Sequence, residues 1–199
     1  MLTRSDYEDY LIRLYFGSET DLLLACINRA YRDFNRTLHQ LKKLKDSGEP
    51  RALATTCLRE SIRDLKVSLA SSVSQTVFDD WHKETCKRLI STYTDSGYGK
   101  FTVGQAQKWI NMTLKYIFTC GEPRIPGFSS AYQYCHVPLD NILLEKLKKY
   151  NFPTFSCKWS RINDYDEYLA RQVWVRQTFE VVPLDIEFLL WLGKEISIS

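Results

Sequence analysis

Two lysines lie two helical turns apart in a stretch that is otherwise mostly apolar. Residues 102–118 read TVGQAQKWINMTLKYIF, and Lys108, Asn111 and Lys115 recur there at i, i+3 and i+7. Lysine is almost never fully buried unless it is paired. Its amine is a nucleophile only when neutral, and apolar neighbours favour the neutral form by desolvation. The pattern therefore predicts either the wall of a site or a deeply set core helix with one hydrated edge.

Asp140 is a candidate carboxylate for such a site. It ends the tetrapeptide VPLD, residues 137–140, which recurs at residues 182–185, and both copies precede an apolar stretch. A carboxylate beside a lysine can take its proton and stabilise a developing positive charge. Aspartate is also a preferred N-cap residue of helices. The alternative is therefore that Asp140 only opens a helix.

The elements that must position these residues are predicted to be helices. Thr102 and Gln105 have the spacing of a capping box, in which each side chain bonds the backbone of the other residue. Strand-like alternation is confined to FEVV at 179–182. Helical spacing of apolar residues predicts helices over residues 5–16, 20–45, 51–70, 75–93, 102–118, 137–150, 164–179 and 183–193.

The predicted fold class is therefore all-α, a multi-helix globular fold of about eight helices. A single domain over residues 1–199 is expected, and two lobes flanking the central helix (1–72 with 151–199, and 73–150) are the alternative. The first helix should begin at Ser5 and turn Tyr7, Leu11, Leu14 and Tyr15 inward. Serines 71, 72 and 74 predict a break, after which Ser74 caps the next helix.

Composition narrows the class of protein further. Apolar residues make up 44% of the 199 residues, and no apolar run has the length of about 18 residues that a membrane helix needs. The N-terminus is acidic and polar, unlike a signal peptide. The sequence therefore predicts a soluble, cytoplasmic protein with no membrane partner. Residues 101–150 carry six basic and three acidic side chains and are the best candidate to face an anion.

Motifs for bound cofactors or metals are missing from the sequence. The six cysteines form no C-x-x-C pair, and the three histidines are dispersed, so neither a metal site nor a disulfide is expected. There is no phosphate-binding glycine loop and no G-x-S-x-G or H-E-x-x-H sequence. We expect no cofactor.

The order of elements over residues 75–150 is more informative than any single motif. A predicted helix is followed by the glycine-containing turn YGKFTVG, by a helix with a lysine near its start, and by a V-P-x-D sequence that opens a later helix. This order resembles the helix-hairpin-helix DNA glycosylases, above all the 8-oxoguanine type that also cleaves the strand. In that family the lysine attacks the sugar, the aspartate assists, and amides of the hairpin turn bind a DNA phosphate.

The resemblance implies a role for particular residues of this chain. Lys108 would be the nucleophile and Asp140 the assisting carboxylate. The residues expected to contact DNA phosphates are Gly99, Lys100, Gly104, Gln105 and Lys115. Flipped bases stack on aromatic side chains, and the irregular segments supply candidates for a base pocket: Phe128, Tyr132, Tyr134, His136 and Trp159.

The expected function is removal of a damaged, oxidised purine from double-stranded DNA through a lysine nucleophile. One alternative is a non-catalytic helical interaction protein, in which the lysines and aromatic residues are structural. Another is a binder of a phosphorylated small ligand that uses Lys108, Lys115 and Arg124. The sequence leaves the oligomeric state open.

Overall fold

Helices build all of the regular structure in the part of the chain that the computed structural model describes, residues 1–69 and 74–198. Short 3-10 helices lie between them, and a lone antiparallel bridge joins Phe179 to Ile198. The all-α prediction is confirmed. The α-helices are α1 (Arg4–Phe16), α2 (Leu22–Phe34), α3 (Glu49–Leu69), α4 (Gln75–Asp95), α5 (Val103–Cys120), α6 (Asn141–Leu147), α7 (Tyr165–Thr178) and α8 (Pro183–Trp191).

The central helix α5 is the one around which the others pack. Sixteen of its 18 residues are buried. Its predicted capping box is present: the Gln105 amide donates to the Thr102 hydroxyl, and the Thr102 amide donates to the Gln105 side chain, both at 3.1 Å. Helix α2 packs along α5, where the Trp109 indole donates to the Ile27 carbonyl at 3.0 Å.

A glycine permits the close approach at the start of α5. The Gly104 amide donates to the Ile162 carbonyl at 2.9 Å. A Cβ atom at Gly104 would lie 1.8 Å from the carbonyl oxygen of Trp159. Because this neighbour is backbone, it cannot rotate away, so only glycine lets α5 meet the 3-10 helix Trp159–Arg161 at this distance.

The second helix is shorter than predicted. It ends at Phe34 rather than near residue 45, and two 3-10 turns follow, with Gln40 in the left-handed region at φ 70°. The physical reason is a tertiary contact: the Gln105 side chain donates to both the carbonyl and the hydroxyl of Thr37, at 3.0 Å each. Leu38 and Leu41 lie within the range predicted to be helical, and both are buried, but from turns rather than from a helix.

The first helix differs from its prediction in its cap and in its buried face. Thr3, not Ser5, is its N-cap. Phe16 is its only buried residue, and the four residues expected to point inward are exposed: Tyr7, Leu11, Leu14 and Tyr15. Apolar residues occupy most of the circumference of α1, so their spacing could not select the face that packs on its neighbour.

Other boundaries agree with the prediction within a few residues. Ser74 caps α4, as expected, by accepting from the Val77 amide at 3.2 Å; serines 71 and 72 of the predicted break lie outside the described residues. The helix expected over residues 137–150 is α6 followed by the 3-10 helix Lys148–Tyr150.

Buried apolar side chains form one core cluster, to which each of the eight helices contributes. It includes residues from both of the segments considered as lobes. Within the described ranges, no helix combines the length and the apolar character needed to cross a membrane.

Candidate functional site

A cavity of about 500 Å³ lies beside α5, and both candidate catalytic residues line it. Its walls come from five helices and from the N-cap of α6. The lining residues are Tyr15 of α1; Arg29, Arg32 and Asp33 of α2; Arg36 of the 3-10 helix Asn35–Thr37 that follows α2; Lys108, Met112, Lys115, Tyr116 and Thr119 of α5; Asp140 and Ile142 at α6; and Glu187, Phe188 and Trp191 of α8. The lysine-bearing face of the central helix is therefore the wall of a cavity.

Lys108 and Asp140 form an ion pair at this cavity. The Lys108 Nζ lies 2.5 Å from the Asp140 Oδ2, and the two side chains are 3% and 18% exposed. The other oxygen of Asp140, Oδ1, accepts from the Leu143 amide at 2.8 Å and so caps α6. The capping role and the lysine-binding role, alternatives in the sequence, are thus filled by the same carboxylate. The cap fixes the carboxylate, so the second oxygen stays directed at the lysine.

A second buried ion pair lies two turns further along α5. The Lys115 Nζ donates to the Glu187 Oε1 at 2.7 Å, and the Trp191 indole donates to the same oxygen at 2.9 Å. The Glu187 Oε2 is buried and has no hydrogen-bond partner. The Lys115 Nζ also lies 5.3 Å from the ring centroid of Phe188 and 5.4 Å from that of Trp191.

The third carboxylate of the cavity, Asp33, is also paired. It accepts from Arg29 and from the Tyr116 hydroxyl, both at 2.6 Å. Desolvation, together with the hydrogen bond to Asp33, raises the pKa of Tyr116 far above its usual range. Tyr116 therefore remains a hydrogen-bond donor and does not act as a base at neutral pH.

The remaining charge at the cavity is positive. Its three carboxylates each pair with one of its five basic side chains. Arg32 and Arg36 are exposed and make no ion pair within the described part of the chain. Two uncompensated guanidinium groups beside a cavity attract an anion, and the paired N–H donors of arginine match the oxygens of a phosphate or a carboxylate.

Asn111 lies between Lys108 and Lys115 in the i, i+3, i+7 series, but its side chain belongs to a different part of the interior. Its amide donates to the Tyr168 hydroxyl at 2.9 Å, and its carbonyl oxygen lies 3.0 Å from the His82 Nε2. His136 joins the same network through the Tyr168 hydroxyl, at 2.9 Å, and through Asp79, at 2.7 Å. His136, predicted for the base pocket, therefore lies in a buried polar network and not at the cavity.

Burial sets the charge of this network. Desolvation lowers the pKa of His82 well below its usual value and also lowers the pKa of His136. Burial opposes ionisation of Asp79, but hydrogen bonds from His136 and Arg176 lower its pKa to about 2. The two imidazoles are thus neutral in the folded protein near neutral pH, and the Asp79 carboxylate is ionised.

Four residues predicted to bind DNA phosphates lie at or before the start of α5 and do not line the cavity. The Gly104 amide is already used by Ile162, and the Gln105 side chain by Thr37. Gly99 and Lys100 are exposed in the preceding turn, where the Lys100 Nζ donates to the Gln40 side chain at 2.6 Å. Of the five predicted phosphate contacts, the structure brings only Lys115 into the cavity.

The other aromatic residues predicted for a base pocket are dispersed. Phe128 and Trp159 are buried and line two other cavities. The Tyr132 hydroxyl donates to Asp185 at 2.6 Å, and the Tyr134 carbonyl accepts from Gln75 at 3.0 Å. None of these residues lines the cavity that contains Lys108.

Sequence reasoning missed the arginines of α2 and of the 3-10 helix that follows it, and the aromatic residues of α8. Arg29, Arg32 and Arg36 recur at i, i+3 and i+7, so one basic face could have been recognised from their spacing. No comparable signal marks Glu187 or Trp191, because their place at the cavity depends on how α8 returns to α5.

Among the described residues, no group of three or more His, Cys, Asp or Glu side chains is placed to hold a metal ion. Comparisons with protein-family profiles, with curated proteins and with solved structures find no match to this chain.

Proposed function

We propose that the protein is a DNA glycosylase/lyase that removes an oxidised purine from double-stranded DNA. Lys108 is the nucleophile and Asp140 the acid–base group. The observation that carries this proposal is the buried Lys108–Asp140 pair, at a cavity that is also lined by two arginines with no ion pair among the described residues. The cavity volume of about 500 Å³ is within the usual range for small-ligand sites.

The chemistry follows from the pair. As an ion pair, Lys108 carries the proton that it must lose before it can attack, and the Asp140 Oδ2 is the nearest acceptor, at 2.5 Å. Nζ then forms a bond to C1′ of the damaged nucleotide while the C1′–N9 bond breaks. The base leaves with that electron pair and takes up a proton.

The strand is cleaved in the following steps. Opening of the sugar ring converts the first adduct into an imine between Lys108 and C1′. Loss of a proton from C2′ then expels the 3′ phosphate, and water hydrolyses the imine and restores the amine. Each step uses only the protein, the nucleotide and water.

The charge distribution supports a DNA substrate. Enzymes that act on a base in a duplex extrude the nucleotide into a pocket, and its flanking phosphates then lie at the pocket mouth. Arg32 and Arg36 are exposed residues of the cavity lining and are suited to bind those phosphates. Arg124, proposed in the small-ligand alternative, instead pairs with Asp9 at 2.8 Å and does not line this cavity.

Borohydride trapping tests the proposal directly. Reduction of the imine should leave a covalent protein–DNA adduct on a duplex that contains an oxidised purine. Lys108→Gln should abolish the adduct because glutamine has no nucleophilic amine and is compatible with a helix. Lys87→Gln is the matched control, since Lys87 is a largely exposed lysine of α4.

The outcomes separate the candidate functions. An adduct that Lys108→Gln forms as well as the wild type would refute the assignment of the nucleophile. If the wild type forms no adduct on any oxidised-purine duplex but binds a phosphorylated nucleotide, the small-ligand alternative is the better one. With neither activity, the helical interaction protein remains.

A further inference from the structure

Helix α1 presents a regular apolar stripe to solvent. Five apolar side chains recur there at i, i+3, i+4, i+7 and i+8, which is the spacing of a helix face that packs on another element. They are 47–69% exposed: Tyr7, Tyr10, Leu11, Leu14 and Tyr15. We call these five residues the α1 stripe. A surface with the pattern of a packing face is thus left uncovered by the described part of the chain.

The opposite face holds α1 in this orientation. Phe16 is buried, and its ring centroid lies 5.4 Å from that of Tyr116. Arg124 donates to the Asp9 carboxylate at 2.8 Å. Rotating α1 to bury the stripe against its own chain would break both contacts. The outward direction of the α1 stripe is therefore set by the fold.

The area of the α1 stripe is close to what one side of a stable dimer needs. At these exposures each side chain leaves roughly 100–150 Å² in water, so the stripe as a whole exposes roughly 600–700 Å². That is above the about 300–600 Å² of the largest apolar patch on a typical monomer. A standard interface buries about 800 Å² on each partner. The α1 stripe reaches this area together with the stems of the charged side chains at its edges.

A cavity adjoins the α1 stripe and gives it depth. It has a volume of about 480 Å³, and Leu11, Leu14 and Tyr15 contribute to its lining together with Thr119 of α5 and Arg124. Side chains of a second helix that packs on the stripe can insert there. The surface therefore offers shape as well as apolar area to an occupant.

We propose that a second copy of this chain covers the α1 stripe, in a dimer whose two α1 helices pack antiparallel about a two-fold axis near Tyr10. Asp6 and Arg13 are exposed and lie two turns apart on one edge of the stripe, and Arg13 makes no ion pair within the described residues. The antiparallel arrangement brings Arg13 of each copy beside Asp6 of the other. One surface thus supplies both the apolar area and the opposite charges, as an isologous interface requires.

The charges of α1 argue against a membrane as the occupant. Helices that lie on a membrane surface are rich in lysine and arginine on their polar face. In α1 the acidic residues Asp6, Glu8 and Asp9 outnumber the basic residues Arg4 and Arg13. An anionic lipid surface would therefore repel this helix, whereas a second copy provides an arginine for Asp6.

Sedimentation velocity of the full chain at concentrations from about 1 to about 200 µM tests the proposal. We expect the wild type to shift from monomer to dimer with a Kd on the order of micromolar, since the interface is of the smaller kind. Leu11→Glu should raise the Kd at least roughly 30-fold, because it places an unpaired carboxylate of each copy in the interface. Leu11 is exposed, so circular dichroism should show unchanged helix content.

Leu53→Glu is the matched control, because Leu53 is an exposed leucine of α3, away from the stripe. Its Kd should equal that of the wild type. A wild type that stays monomeric at the highest concentration would overturn the proposal, and so would a Leu11→Glu protein that dimerises as well as the wild type. Neither outcome bears on the proposed glycosylase function, on which this inference does not rest.

Charge exchange tests the antiparallel arrangement. Arg13→Glu and Asp6→Lys each place like charges opposite one another at two symmetric positions and should each raise the Kd roughly 5- to 30-fold. In an equimolar mixture of the two variants, the mixed dimer again has opposite charges at both positions and should form more tightly than either variant with itself. A mixture that associates no better than the separate variants would refute the arrangement.

Cosedimentation with vesicles of about one part phosphatidylserine to three parts phosphatidylcholine tests the competing occupant. We expect the wild type to remain in solution. Vesicle binding that Leu11→Glu abolishes would assign the α1 stripe to a membrane surface and overturn the proposal.

Discussion

Asp140 has two roles that substitution can separate. Asparagine keeps an oxygen that can accept from the Leu143 amide, so Asp140→Asn preserves the helix cap but removes the charge opposite Lys108. Alanine removes both the cap and the charge. The difference in unfolding free energy between the two variants therefore measures the contribution of the cap. The change caused by asparagine alone measures the contribution of the ion pair.

The burial of the pair sets the size of the effect. Loss of one partner from a buried ion pair costs about 3–5 kcal/mol because the other charge is left uncompensated. Lys108 is 3% exposed, whereas Asp140 is 18% exposed and water can replace part of what is lost. We therefore expect Asp140→Asn to lower the free energy of unfolding by about 2–3 kcal/mol. Asp140→Ala should cost about 1 kcal/mol more.

Asp164 provides a matched control for the cap. It is the N-cap of α7, it accepts from the Asp166 and Glu167 amides, and it is exposed. It forms no ion pair within the described residues. Asp164→Asn should change stability by only a few tenths of a kcal/mol and Asp164→Ala by about 1 kcal/mol.

Urea denaturation followed by circular dichroism measures these differences as midpoint shifts at constant slope. In thermal unfolding, a loss of about 2–3 kcal/mol of stability corresponds to a Tm that is lower by roughly 4–12 °C in a chain of this size. The reasoning is refuted if Asp140→Asn is no more damaging than Asp164→Asn. That result would mean that the Lys108–Asp140 contact has no net stabilising effect.

Two further predictions concern the start of α5 and the buried imidazoles. Gly104→Ala should destabilise the protein by about 1–3 kcal/mol or more, because its Cβ would lie 1.8 Å from the Trp159 carbonyl oxygen. Gly99→Ala, where a Cβ meets nothing within 4 Å, should cost less than about 0.5 kcal/mol in the same thermal melts, and equal losses would refute the packing argument. Burial lowers the pKa of His82 and of His136, so below pH 6.5 the unfolded chain binds protons that the folded protein does not. The urea midpoint should therefore be constant above about pH 6.5 and fall as the pH drops below it, and a midpoint that stays level down to about pH 5 would contradict this.

Local rules predicted the central helix and its cap well. The capping box of Thr102 and Gln105 depends only on residues three apart, and the structure contains it. Lys108 and Asp140 were both selected from sequence, and the structure brings them into contact across 32 residues. The resemblance in the order of elements over residues 75–150 singled them out, but it did not show that their side chains meet.

Tertiary contacts account for what the sequence could not predict. The contact between Gln105 and Thr37 ends the second helix early, although its apolar spacing continues to Leu41. Likewise, Glu187 is 72 residues from Lys115, and nothing local to either residue indicates that they pair. In both cases the deciding contact joins segments whose approach is set by the packing of the whole core.

The repeated VPLD sequence illustrates the same limit. In its first copy Asp140 is the N-cap of α6, whereas in the second copy Val182 is the N-cap and Asp185 lies inside the first turn of α8. The shift frees Asp185 to accept from Tyr132, while the first register holds one oxygen of Asp140 at the cap and leaves the other for Lys108. The same four residues therefore give a structural carboxylate in one helix and, in our proposal, a catalytic one in the other. The position of the aspartate relative to the helix start decides between them. An aspartate at the N-cap binds the helix backbone with one oxygen and leaves the other to face the cavity.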